Sequence, residues 1–173
     1  MKRHLLWLAL PLSALTIDLL SKVWVLSVLQ PGDQYTVIKG FFYIKPATNS
    51  GAIFGIMQDA PPWLRGSVFL TAGIVALLYF GWEFFKSDTT APQRCALGMI
   101  LGGALGNGLD RLFRGHVVDF LDFWFGSWEY WIFNIADSFI LCGAILFGIT
   151  ALMEASAEKK ARNAASCGDE SAE

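Results

Sequence analysis

Trp131-Ile-Phe-Asn134-Ile-Ala-Asp137-Ser138-Phe-Ile-Leu-Cys142-Gly-Ala-Ile-Leu-Phe-Gly-Ile-Thr-Ala-Leu-Met153 is an almost unbroken apolar run. Its length is close to the roughly 20 residues that an α-helix needs to cross a hydrocarbon core about 30 Å thick. Its one carboxylate, Asp137, falls roughly 9 Å from the start of the run, about two helical turns in. Three more runs of this kind precede it, at residues 5–29, 66–85 and 95–112. The expected fold class is therefore an all-α membrane protein with four transmembrane helices. Composition agrees, because 54% hydrophobic and 16% charged residues over 173 positions is too apolar for an ordinary soluble domain.

The first run follows Lys2 and Arg3, as a signal peptide would. It continues through Asp18 and Lys22 to Leu29 without a small-x-small cleavage site, and reads as a retained span. Lys2, Arg3, Lys86, Arg94, Lys159, Lys160 and Arg162 then share one side, against Lys39, Lys45, Arg65, Arg111 and Arg114, which places both termini inside. Two outer segments, residues 30–65 and 110–130, are the long connections. In the second, Val117–Phe125 and Trp128–Trp131 flank Gly126-Ser127, the pattern of a β-hairpin with glycine at the first turn position. A small extracytoplasmic β element with aromatic-rich outer loops follows. Trp63, Trp124, Trp128, Tyr130 and Trp131 suit the headgroup level. Residues 156–173, rich in Ala, Ser and charge with no apolar period, are expected to form a disordered cytoplasmic tail.

A net charge of −2 with no basic stripe excludes a nucleic-acid partner. Cys95, Cys142 and Cys167 lack metal-ligand spacing and an adjacent histidine, and read as inert thiols.

A charge inside a membrane helix costs roughly 2.5–3.5 kcal/mol on insertion scales, so each needs a partner or a task. Asp18 and Lys22, spaced i, i+4 with the acid first, read as a mutually neutralising pair. In the third run Gly98, Gly102 and Gly106 line one face, where another helix can approach closely. Asn107, Asp110, Arg111 and Arg114 follow as a polar stripe. Asp110 is expected to brace Arg111 or pair with Arg114, and the forked donors of Arg111 can hold a peptide carbonyl. In the fourth run Asn134, Asp137 and Ser138 share a face. Counting along the helices from the inner ends places Asp18 about 20 Å and Asn107 about 18 Å across the bilayer. All three polar clusters thus fall at one depth, toward the outer side. Isolated ion pairs need not share a depth; the parts of one site must.

Five motifs can now be set side by side: Asp18-Leu-Leu-Ser-Lys22, Asn49-Ser-Gly51-Ala-Ile53-Phe54, Gly102-Gly-Ala-Leu-Gly-Asn107-Gly108-Leu-Asp110-Arg111, Val117-Val-Asp119-Phe120 and Phe133-Asn134-Ile-Ala-Asp137-Ser138. In order and spacing, over about residues 14 to 140, they resemble the lipoprotein signal peptidase family, also called signal peptidase II. The departures, at Ile53 and Gly108, are minor. The resemblance implies one membrane-embedded peptidase domain over residues 1–155, in the bacterial cytoplasmic (inner) membrane. It implies an aspartic endopeptidase with Asp119 and Asp137 as catalytic dyad near the outer face. Asn49, Gly51, Asn107, Arg111 and Asn134 would border the site and bind substrate, the polar ones alternatively orienting the aspartates, supported by Asp18, Lys22 and Asp110. The implied substrates are diacylglyceryl-modified prolipoproteins, cut just before the lipidated cysteine, with membrane lipid as surroundings and a monomer as the working state. Two carboxylates in a partly apolar site cannot both ionise cheaply, so they would share one proton and supply one acid and one base. No metal or other cofactor is expected, since carboxylates alone, Asp119, Asp122 and Asp137, are a weak metal signal. Gly40–Ile44 with Trp63 would form a lid or cradle over the substrate at the membrane surface, or else simply anchor the protein there.

The alternative is a transporter or proton relay built on the same intramembrane charges. Four spans without internal repeat or discontinuous helices weigh against it.

Overall fold

The computed structural model describes residues 6–50 and 60–170. Four long helices, α1 (Ala9–Val28), α2 (Pro62–Phe85), α3 (Ala91–Arg114) and α4 (Ile135–Glu170), carry a small sheet of β1 (Tyr35–Ile38), β2 (Phe42–Asn49), β3 (Val117–Phe125) and β4 (Trp128–Glu129). α2 opens on Pro62, where the missing N–H would have had no helical partner. The N–H of Thr90, which caps α3, is accepted by Gln93 Oε1 at 2.9 Å. α3 stops at Gly115, which takes the left-handed conformation at φ 76°.

The packing is inverted relative to a soluble protein. Leu20, Trp24, Ile74, Leu78, Leu141 and Leu152 face outward, while Asp18, Lys22, Asn107, Asp110, Asp119 and Asn134 are buried. An apolar exterior around a polar interior is what lipid as solvent demands. Ala9–Val28, Gly66–Phe85 and Ile135–Asn163 are each long and apolar enough to cross a bilayer. The run expected at 95–112 lies within a helix of sufficient length, but it does not reach the same apolarity. α3 packs against α1, α2 and α4 at once. It has little lipid-facing surface to cover, and its sequence carries glycine and charge instead.

Those glycines act by close approach. A Cβ on Gly102 would lie 2.7 Å from the carbonyl oxygen of Pro11, and one on Gly106 would strike the carboxylate of Asp18. The Gly98/Gly102/Gly106 face is therefore the seat of α1.

The segments between α1 and α2 and between α3 and α4 form one antiparallel sheet in the order β1-β2-β3-β4. The β3–β4 hairpin forms as expected, with Trp124 opposite Glu129, Phe125 opposite Trp128 and Gly126 at φ 68°. Gly40–Ile44 is the turn and start of β2, and the ring of Phe42 stacks on that of Phe123 at 4.4 Å. Trp63, grouped with it in the sequence, sits apart in the first turn of α2 and is exposed.

Of the expected tail, residues 156–173, the structure describes 156–170, where α4 continues to Glu170. Ala, Glu, Lys and Arg are strong helix formers, and a helix already nucleated in the apolar segment propagates through them without an apolar face.

Candidate active site

Asp119 is delivered by β3. Its register against β2 sets Ala47 opposite Asp119 and Asn49 opposite Val117, so the end of β2 runs beside the carboxylate. Asn49 Nδ2 donates to Asp119 Oδ2 at 2.9 Å and Asn134 Nδ2 to Asp119 Oδ1 at 2.6 Å. Asp119 is only 3% exposed. Burial pushes its carboxyl up to about 6, Asn49 pulls it back, the nearby charge of Asp137 adds to the rise, and Asn134 opposes it.

Asp137 comes from the first turn of α4, and its position is a capping box. The N–H of Asp137 donates to Asn134 Oδ1 at 2.9 Å, and the N–H of Asn134 donates to Asp137 Oδ2 at 3.2 Å. The remaining oxygen, Oδ1, accepts Asn107 Nδ2 at 2.7 Å. A carboxylate beside the N-terminus of a helix is favoured by the unpaired N–H groups there.

Beneath the two aspartates lies a buried charge network. Lys22 Nζ reaches Asp18 Oδ2 at 2.7 Å, Asp110 Oδ2 at 2.9 Å and Asn107 Oδ1 at 3.2 Å. Asp18 also accepts the N–H of Ala136 at 2.9 Å, and Asp110 accepts that of Val118 at 3.2 Å. The Asp18–Lys22 pair was legible in the sequence, and its connections to α3, β3 and α4 were not. Asp110 does not brace Arg111. It pairs with Arg114 and Lys22, because residues i and i+4 lie on one helical face while i and i+1 diverge. Arg111 instead lies over the ring of Phe69 at 5.7 Å, with one long contact of 3.4 Å to the carbonyl of Asn107.

A cavity of about 470 Å³ opens over the pair, lined by Asn49, Asn107, Arg111, Asp119, Trp131 and Asp137 among others. A second, apolar groove of about 430 Å³ between α2, α3 and α4 ends on Asn107, Arg111 and Asp137. Of the residues expected to border a substrate, Asn49, Asn107 and Arg111 line the cavity. Asn134 is fully buried, its amide engaged by both aspartates, so it has no surface to offer a substrate. Gly51 and Ile53 lie outside the described residues. Among the described residues no three His, Cys, Asp or Glu side chains converge as metal ligands. Asp122 is buried, and among the described residues neither of its oxygens has a hydrogen-bond partner.

A helical bundle with an apolar outside, enclosing an acidic pair beneath a small sheet, defines a membrane-embedded protein with a carboxylate site. The profile of Signal peptidase (SPase) II matches residues 10–153. The lipoprotein signal peptidase of Burkholderia vietnamiensis is 40% identical over 140 residues, covering 81% of this chain and 83% of that protein. That of Neisseria meningitidis serogroup C is 40% identical over 137 residues, covering 79% and 83%. A bacterial membrane enzyme solved by the in meso method at 2.3 Å resolution superposes with a TM-score of 0.76 at 29% identity, covering 90% of this chain and 91% of its own. The chain belongs to the signal peptidase II family.

Proposed function

We propose that this protein is an aspartic endopeptidase of the bacterial cytoplasmic membrane that removes the signal peptide from diacylglyceryl-modified prolipoproteins, cutting just before the lipidated cysteine. The observation that carries it is the placing of Asp119 and Asp137 on one cavity, tied to each other through Asn134. The ionised aspartate takes a proton from water as its oxygen attacks the scissile carbonyl, and the protonated one donates to the carbonyl oxygen. Collapse of the tetrahedral intermediate breaks the C–N bond, returns a proton to the departing amine of the cysteine, and leaves a carboxylate on the signal peptide. No metal enters these steps. The cavity supplies donors for a peptide backbone through Asn49, Asn107 and Arg111. The apolar groove offers hydrocarbon a path from the lipid to the same carboxylates.

In this proposal α3 is the fourth span, both termini are cytoplasmic, the site faces the outer side and the protein works as a monomer. Transport or proton relay draws no support from the family match. The test is cleavage of a diacylglyceryl-modified prolipoprotein and its unlipidated form by the purified wild type, Asp119→Asn and Asp137→Asn. Loss of turnover in both variants, with preference for the lipidated substrate, is expected. Retained cleavage in either variant sinks the dyad, equal cleavage of both substrates removes lipid recognition, and inhibition by EDTA replaces the mechanism with a metal-dependent one.

A further inference from the structure

The glycines of α3 divide into two sets. A Cβ on Gly98 would meet the side chain of Leu10, on Gly102 the carbonyl of Pro11, and on Gly103 the carbonyl of Ala136, so each of these is pressed by a neighbouring helix. On Gly108 a Cβ meets nothing within 4 Å among the described residues, and the same holds for Gly73 of α2. Glycine is a poor helix former, and no such contact asks for it at either position. Both residues line the apolar groove between α2, α3 and α4, where Ala72, Ala76 and Ala104 join them on the walls.

The groove has two defined ends. Its outer end shares Asn107, Arg111 and Asp137 with the cavity over the aspartates. At its inner end, Leu77 and Phe80 pack against the cluster of Phe84, Leu97 and Leu101, and Phe80 meets the ring of Phe147 edge to face at 6.4 Å. The lining runs from Phe69 to Phe80 on α2 and from Arg111 back to Ile100 on α3, roughly 16 Å on each helix. A volume of about 430 Å³ over that length leaves roughly 27 Å² of cross-section. A helix with side chains, 10–12 Å across, needs roughly 80–110 Å². One extended hydrocarbon chain, with carbon neighbours about 4 Å away, takes roughly 20 Å².

Resting on the prolipoprotein reading above, we infer that this groove seats one acyl chain of the substrate's diacylglyceryl group, with Gly73 and Gly108 setting its bore. The lipidated cysteine follows the scissile bond, so a chain hung from it starts where the groove starts, beside Asn107, Arg111 and Asp137. An extended chain advances roughly 1.2 Å per bond, so the groove takes about a dozen methylenes before Leu77 and Phe80 stop it. Lipid tails are as apolar as these walls, and entry brings no hydrophobic gain. What it brings is position, because contacts remote from the reacting bond hold that bond against the carboxylates. The signal-peptide helix and the second acyl chain stay outside, in lipid.

Two measurements test this. In the first, Asp119→Asn in nanodiscs is irradiated with a diacylglyceryl-modified prolipoprotein whose acyl chains end in a photoreactive diazirine, and the labelled residues are mapped by mass spectrometry. Labels are expected at Leu77 and Phe80, above those on outward-facing Leu20, Trp24 and Leu152. An even spread, or a probe on the signal peptide that labels Leu77 and Phe80 instead, overturns the inference. In the second, the full chain cleaves substrates of increasing acyl length, and kcat/KM is expected to rise up to about a dozen carbons and then level off. Gly73→Leu and Gly108→Leu, which fill the groove from opposite walls, are expected to lower the ratio of kcat/KM for long-chain over short-chain substrate tenfold or more. Gly81→Leu, also on α2 with nothing within 4 Å but away from the groove, is expected to keep the wild-type ratio. An unmoved ratio in folded Gly73→Leu and Gly108→Leu overturns the acyl seat. Turnover retained by Asp119→Asn removes the dyad instead, and the label map still decides the groove.

Discussion

Lys22 Nζ lies 2.9 Å from Asp110 Oδ2 with both side chains fully buried, so the cation of α1 is shared between its own helix and α3. The pair that the sequence displays, Asp18 with Lys22, is one half of a clamp.

The clamp has a measurable asymmetry. Lys22→Met leaves Asp18 and Asp110 buried without their common cation, and removing one partner of a buried pair costs about 3–5 kcal/mol. In the double change Asp18→Asn with Lys22→Met, the carboxylate of α1 is neutral and Asp110 keeps Arg114. The double variant is expected to melt above the single one in detergent. The opposite order would show that the carboxylate of Asp18 does not depend on Lys22.

Asn49 touches Asp119 and also lines the cavity, so its replacement separates two roles. A hydrogen bond to a charged group is worth about 1.5–3 kcal/mol, or roughly tenfold to a hundredfold in rate. Asn49→Ala is expected to lower kcat and kcat/KM together by that range. A rise in KM alone would place Asn49 on the substrate instead of on the aspartate.

Stability should carry the mark of Asp119. Its carboxyl is raised from 3.8 to about 6, chiefly by burial, so between those values the folded protein binds a proton that the unfolded chain does not. The contribution is present in full below the unfolded value and is lost as pH rises through about 6; it is worth about 3 kcal/mol at most. Between pH values of about 4 and 7, wild-type stability is expected to fall relative to Asp119→Asn. Parallel curves for the two would place Asp119 in contact with solvent.

Two glycines of α3 make opposite predictions. Gly102→Ala puts a Cβ 2.7 Å from the carbonyl of Pro11, and overpacking of this kind costs about 1–3 kcal/mol. At Gly108 a Cβ meets nothing within 4 Å, and alanine gains up to about 1 kcal/mol of helix propensity. Thermal unfolding of the two variants should bracket the wild type. Equal losses would mean that helix conformation, and not the approach of α1, selects glycine here.

Much of this architecture was legible because lipid imposes simple rules. Apolar length marked the long helices, the glycine spacing marked the face on which α1 sits, and Gly126 with its flanking alternation marked the β3–β4 hairpin. Depth counting brought Asp18, Asn107 and Asp137 to one level, since a membrane helix is a straight ruler. The motifs in order carried the resemblance to the family. Tertiary structure alone decided the rest, because these relations join segments far apart in the chain. The β2–β3 register delivers Asn49 to Asp119 from 70 positions away. The extra partners of Lys22 come from α3, and Asp110 chose Arg114 over Arg111. The two ends of the Asn134 amide meet Asp119 and the main chain of Asp137, a tie between β3 and α4 that the sequence does not spell out. The directions of the Asn107 and Asn134 amides follow from the fixed donor that each one meets, and no spacing along the sequence encodes that.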